Sequence, residues 1–117
     1  MEISGEKYSV NYDAASTTVS CIGSFRLQGA DEYAPIVDLL NDVVDANPDT
    51  INLDLRELEF LNSSGINMLS KFVIQVRKQG QSKLIVYGSQ AYPWQNKSLK
   101  NFQRLMPNLV LELEATA

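Results

Sequence analysis

Within residues 51–79 the apolar pattern changes period once, and that change restricts the fold more than any other feature of the chain. The segment "INLDL" (51–55) alternates apolar and polar positions, as a strand with one buried face requires. "EFL" then carries the chain to "NSSG", and beyond it Ile66, Leu69, Phe72, Val73 and Val76 form a stripe at helical spacing. Lys71, Gln75 and Lys78 take the opposite side, and Gly80 suits the left-handed residue that closes a helix. A strand that runs almost directly into a helix is half of an α/β crossover unit, so a largely parallel sheet is expected.

The flanking segments extend this pattern. "YSVNY" (8–12) and "TTVSCIG" (17–23), joined through "DAAS", read as a β-hairpin. Residues 33–46 place Tyr33, Ile36, Val37, Leu40 and Val44 on one helical face, with Asp31 as N-cap, Pro35 in the first turn and "NPD" as the stop. "KLIVY" (83–87) is a short apolar run, as for a strand buried on both faces. Residues 98–106 repeat the helical pattern through Leu99, Phe102, Leu105 and Met106 until Pro107, and "LVLEL" (109–113) forms a last strand. The expected order is β-β-α-β-α-β-α-β, an α/β chain whose 117 residues form a single domain with a mixed sheet and helices packed on it. Sites in such folds gather at the carboxyl ends of parallel strands, and "NSSG" stands at one of them.

Residue usage removes several kinds of chemistry. With no His and one Cys, the common zinc sites and every His-based triad are excluded. Neither a P-loop nor G-x-G-x-x-G occurs, so a self-contained nucleotide enzyme is not expected, and no cofactor or metal is called for. Asp54 sits at a strand end like the phosphoacceptor of a response regulator, but no acidic pair follows the first strand to hold magnesium. Cys21, in the apolar run "VSCIG", reads as a core thiol. No apolar run approaches the roughly 20 residues that span a bilayer, and "MEISGEKYSV" lacks the character of a signal peptide. These features point to the cytoplasm, with no membrane partner. Charge is unevenly divided: residues 1–70 carry 3 Lys/Arg against 12 Asp/Glu, and residues 71–117 carry 7 against 2, so −9 and +5 give the net −4. Solvated faces explain this at the simplest level; a bipolar surface that steers a charged protein partner is the sharper reading. Direct nucleic-acid binding is not expected, because the basic half has no dense cluster interleaved with aromatics.

Attention therefore falls on Asn62, Ser63, Ser64 and Gly65. One of the first three suffices to cap a helix, for about 1 kcal/mol. A second hydroxyl and a glycine exceed that need, and Gly65 would let another chain approach closely. A helix start also attracts anions through its free N–H groups and macrodipole, so a phosphate on a serine here would be held partly by its own helix. It would add a charge of about −1.5 to −2 to any docking surface. Either serine as a catalytic nucleophile would need a base other than His, and the motif is not the hydrolase elbow.

Element order together with "INLDLRELEFLNSSGINML" resembles the STAS domain of the bacterial anti-sigma factor antagonist family, whose strand, D-S-S-G loop and helix it parallels. The resemblance covers nearly the whole chain. It implies a non-enzymatic partner-switching regulator. In that family a serine kinase, itself an anti-sigma factor, phosphorylates the second serine of the motif and so loses its complex with the antagonist; a phosphatase restores it. Carried over, Ser64 is the phosphoacceptor, with Asn62, Ser63 and Gly65 in the docking surface. Asn62 departs from the usual Asp and removes a carboxylate beside the acceptor. A second departure lies in "GSFRLQGADEY", where Gly23 and Phe25 fit the family's G-x-L-D element but Arg26 replaces the acid; Phe25 and Arg26 are implied as neighbours of the serine loop and partner contacts. "SQAYPWQNKS" (89–98) looks longer than the family's connection, and Trp94 either folds onto the sheet edge or anchors a partner. The alternatives are a constitutive, unphosphorylated STAS scaffold and a small-molecule or nucleotide-binding STAS module. A weak homodimer is compatible with each.

Overall fold

The alternation at 51–55 is the visible part of a longer strand. The computed structural model describes residues 2–115, in the order β1 (Glu2–Ser4), β2 (Tyr8–Asp13), β3 (Thr18–Phe25), α1 (Gly29–Asp45), β4 (Thr50–Leu61), α2 (Ser63–Gln79), β5 (Lys83–Ser89), α3 (Pro93–Leu105) and β6 (Val110–Glu114). All strands join one six-stranded sheet in sequence order, antiparallel from β1 to β3 and parallel from β3 to β6. Each parallel step moves the chain in the same direction across the sheet and is bridged by one helix. Right-handed crossovers taken repeatedly in one direction put their helices on one face, where α2 lies between α1 and α3.

Burial follows from that layering. Val19, Cys21, Ile51, Leu53, Leu55, Leu84 and Val86 point toward the helices and are buried, whereas their strand neighbours are less so. The "KLIVY" segment therefore departs from the expectation of burial on both faces: Leu84 and Val86 are buried, Ile85 and Tyr87 only half-buried. The sheet's other face has no helical layer among the described residues. Asp54 lies there, gripped by Arg56 through Nε–Oδ1 at 3.0 Å and Nη2–Oδ2 at 2.9 Å. Burial alone would raise the Asp54 carboxyl, but the Arg56 hydrogen bonds and charge prevail and hold it below the usual carboxylate range.

Element limits differ from the sequence reading for local reasons. Strand β1 is additional to the expected order; it is three residues long, with Ile3 as its one apolar residue. Helix α1 begins at Gly29, so Asp31 lies in its first turn, and the N-cap is Gln28, whose N–H donates to the Glu32 carboxylate at 2.8 Å. Pro35 consequently sits beyond the first turn, on the exposed side. The buried face of α1 adds Leu39 and Val43 to the expected residues and leaves Val37 half-buried. Helix α3 starts with Pro93 in its first turn, which converts most of the anticipated loop 89–98 into helix.

Strand β4 carries two irregularities against β3, between Ser20 and Ile22 and between Gly23 and Ser24. At the first, Arg56 and Glu57 both turn to solvent, and the carbonyls of Leu55 and Leu58 face the helices. Gln95, fully buried on α3, donates its amide N–H groups to both carbonyls at 2.7 and 2.9 Å and accepts the Ser89 N–H at 2.8 Å. One amide side chain thus satisfies three backbone groups that the bulge and the end of β5 would otherwise leave buried and unpaired.

Candidate functional site

The carboxyl end of β4 runs into α2 through a single residue, Asn62. Its backbone is extended (φ −79°, ψ 177°), and its side-chain oxygen accepts the Gly65 N–H at 3.0 Å, the geometry of an N-cap. The same oxygen accepts the Tyr33 hydroxyl at 2.8 Å, while the amide nitrogen donates to the Leu27 carbonyl at 2.7 Å. Its backbone N–H reaches the Phe25 carbonyl at 3.3 Å, and its carbonyl accepts the Ile66 N–H at 2.9 Å. Asn62 therefore ties β4, the β3–α1 connection, α1 and α2 together. Gly65 offers only a donor and Leu27 only an acceptor, so the amide orientation is fixed by its partners. An ionised aspartate has no donor for Leu27. At this position the amide makes a contact that the acid of the resembled family could not make when ionised.

Tyr33 completes the cluster. Its ring is buried and its hydroxyl lies between Asn62 Oδ1 and the Phe25 carbonyl, the latter at 3.3 Å. Burial pushes the phenol up to about 12, with the Leu27 backbone partly opposing and Tyr8 and Glu32 adding to the rise. It stays protonated and works as a donor. Gly65 is buried directly against this group: a Cβ there would collide with Leu61 Cδ1 and stand 2.8 Å from the Tyr33 hydroxyl. The close approach expected of Gly65 toward another chain is thus made within its own, between the start of α2 and the end of β4.

The two serines occupy the first positions of α2. Ser63 is exposed, and Ser64 is half-buried and lines a groove of about 350 Å³ between α1 and α2. Ala34, Val37 and Asp38 form one wall, with Asn67, Met68 and Lys71 on the other. A helix start leaves its first N–H groups without helical acceptors. Here Asn62 N–H, Gly65 N–H and Ile66 N–H have acceptors, which leaves those of Ser63 and Ser64 without a partner among the described residues.

The other expected contact residues are distributed around this point. The Phe25 side chain is 1% exposed and packs on the Tyr8 ring at 5.0 Å between centroids, so it belongs to the core and offers no surface to a partner. Only its carbonyl serves the Asn62 cluster. Arg26 is exposed, its guanidinium 4.1 Å from the centre of the Phe60 ring. Trp94 is half-buried in the first turn of α3, where its indole N–H donates to the Glu59 carbonyl at 3.1 Å. Cys21 is buried, and desolvation, reinforced by Asp54, pushes its thiol up to about 12, so it carries no thiolate chemistry. The sequence reading missed Leu27, Tyr33 and Lys71 as site residues. The helical spacing places Tyr33 on the core face; the one further clue is a phenol that, once buried, needs a partner for its hydroxyl.

No protein-family model matches the chain, and no curated protein does either. Solved structures do. A chain in the crystal structure of diguanylate cyclase SiaD in complex with its activator SiaC, from Pseudomonas aeruginosa, is similar with a TM-score of 0.75 at 14% identity, covering 99% of each chain. SiaC of Pseudomonas aeruginosa gives 0.71 at 14% identity over 99% of this chain and 98% of that one. An anti-sigma factor antagonist from Mycobacterium paratuberculosis gives 0.58 at 20% identity, over 94% of this chain and 82% of that one. The fold is thus the mixed α/β, STAS-like arrangement that the sequence resemblance implied.

Proposed function

We propose that this chain is a non-enzymatic partner-switching regulator whose binding to a protein partner is controlled by reversible phosphorylation of Ser64. The observation that carries this reading is the position of Ser64 in the first turn of α2. Ser64 lines the α1–α2 groove, beside two N–H groups without acceptors among the described residues. In the phosphorylation step the Ser64 oxygen attacks the γ-phosphorus of ATP on a separate serine kinase. The bond to ADP breaks and the hydroxyl proton passes to a kinase base; a phosphatase later returns the serine by hydrolysis. Asn62 is committed to holding the loop, so every catalytic group comes from the kinase. The chain supplies an acceptor on a rigid helix start and N–H groups that favour the product's negative charge.

What the partner does has two readings: a kinase that is itself an anti-sigma factor, or an effector enzyme that the free regulator activates. The second has support in the nearly complete two-way coverage of SiaC, described as the activator of a diguanylate cyclase. The anti-sigma factor antagonist matches less of either chain. The cytoplasm suits both readings, and no helix among the described residues is long and apolar enough to cross a membrane.

The test is to incubate the protein with a candidate serine kinase and ATP and to measure intact mass for wild type and Ser64→Ala. Addition of one phosphate to wild type alone is expected. A wild type left unmodified while still binding the kinase would overturn the switch in favour of a constitutive scaffold. A phosphate mapped to Ser63 would move the switch to the more exposed neighbour.

A further inference from the structure

The charge imbalance of the sequence acquires a shape in the helical layer. Helix α1 carries Asp31, Glu32, Asp38, Asp42 and Asp45 and no Lys or Arg. Helices α2 and α3 carry Lys71, Arg77, Lys78, Lys97, Lys100 and Arg104 and no Asp or Glu. All six cations are exposed, and among the described residues none forms a salt bridge; the salt bridges present belong to Arg56. The helix macrodipole accounts for Arg77, Lys78 and Arg104, which lie in last turns. It does not account for Lys71 in mid-helix, nor for Lys97 and Lys100 in the body of α3.

Spacing connects these cations to the serine. Ser64, Lys71 and Lys78 are seven residues apart, two helical turns each, so they follow one line along α2 with successive positions about 10 Å apart. The groove containing Ser64 is bounded by Lys71, and a shallower depression of about 400 Å³ is lined by Lys71, Ile74, Gln75 and Lys78. On the neighbouring helix, Lys97, Lys100 and Arg104 share a face at i, i+3 and i+7.

We infer that the α2–α3 face docks a protein partner through an acidic surface laid along this line, with Ser64 at its amino-terminal end. The inference rests on Ser64 as the switch and names the chemistry of what is switched. Sign decides it. A cationic partner, drawn to the acids of α1, would be attracted further by a phosphate on Ser64. An acidic partner is repelled by that phosphate, which also competes for Lys71. Only the acidic partner is released by phosphorylation. A protein fits better than a nucleic acid, because the five acids of α1, with Asp38 across the groove from Ser64 and Lys71, oppose a long polyanion. The cationic face itself offers Ile74 rather than a platform of aromatic rings.

The test is an amide NMR titration of the whole protein with an amphipathic Glu/Leu helical peptide, repeated with Ser64→Asp and with the exposed pair Lys71→Glu/Lys100→Glu. The expected result is shifts centred on residues 64–78 and 93–105, extending on α1 only to the groove wall at Ala34, Val37 and Asp38, with affinity falling about tenfold for each variant and on raising salt. Shifts centred on α1 beyond that wall or on the open sheet face, or unchanged affinity in the double variant, would overturn the surface. Tighter binding of a single-stranded oligonucleotide or of phosphatidylserine vesicles to the same face, at equal salt, would overturn the acidic protein partner. If the double variant loses affinity and Ser64→Asp does not, the surface stands and the control by Ser64 fails. If the kinase modifies Ser64 but the double variant still binds fully, the switch stands and the surface fails.

Discussion

Replacing Asn62 by Asp restores the acid found in the resembled family, yet the hydrogen bonds around it argue that this chain will lose stability. The substitution removes the donor to the Leu27 carbonyl, a 2.7 Å contact, and sets a carboxylate oxygen against that carbonyl. Leaving that carbonyl unpaired costs about 1–3 kcal/mol if it stays shielded from water. Opposing this, a carboxylate at a helix start gains about 0.3–1 kcal/mol, and the Gly65 N–H and Tyr33 hydroxyl would bind it more strongly than an amide oxygen. The balance is a loss of about 1–2 kcal/mol at neutral pH, or roughly 3–10 °C in Tm for a domain of this size. Once protonated, the introduced carboxyl regains a donor for Leu27. Its folded-state pKa is therefore raised, and the deficit relative to wild type opens as pH rises through that pKa and closes below the unfolded value. Urea and thermal unfolding of both proteins between about pH 4 and 8 measures this window. An Asn62→Asp variant as stable as wild type at neutral pH, or a deficit that widens in acid, would refute the reasoning.

Other consequences can be checked with the same unfolding assays. Gln95→Leu keeps an apolar stem but strands the Leu55 and Leu58 carbonyls and the Ser89 N–H; a loss of about 3 kcal/mol or more is expected, with faster exchange of the Ser89 amide. Gly65→Ala forces a methyl group onto Leu61 and the Tyr33 hydroxyl and should cost about 1–3 kcal/mol, although alanine is the better helix former. Tyr33 and Cys21 both have folded-state values raised to about 12, from ordinary values of 10.0 and 9.0. Their contribution to stability is present below the unfolded values and is lost as pH rises from about 9 toward 12, and Tyr33→Phe should flatten part of that alkaline decline.

The sequence was informative where hydrophobic period dominates and less so where single polar groups decide. The α2 stripe and the β4 alternation each bury a continuous face, so their type could be read directly, although Ile66 is only half-buried and Met68 joins the buried face of α2. The bulge in β4 could not, because Arg56 and Glu57 break the alternation and the compensating Gln95 stands 38 positions further along the chain. Its burial is set by the β5–α3 junction, within a segment whose Tyr, Pro and Trp resemble loop chemistry. The same holds for the serine site. Asn62, Ser63, Ser64 and Gly65 were recognisable together, but the inward role of Gly65 and the double use of the Asn62 amide depend on Tyr33 and Leu27, brought in by the β3–α1 connection. The Phe25 carbonyl accepts the Asn62 N–H of that site, while its side chain answers to the core.

In the proposed switch a charge on Ser64 governs docking, and calorimetric titration of one partner with two forms of this protein measures it directly. The partner is the kinase that modifies Ser64, made catalytically inactive; the forms are unmodified and fully Ser64-phosphorylated. The expected result is a loss of affinity of about tenfold or more on phosphorylation, with undiminished thermal stability of the regulator. Equal affinities for the two forms would contradict it.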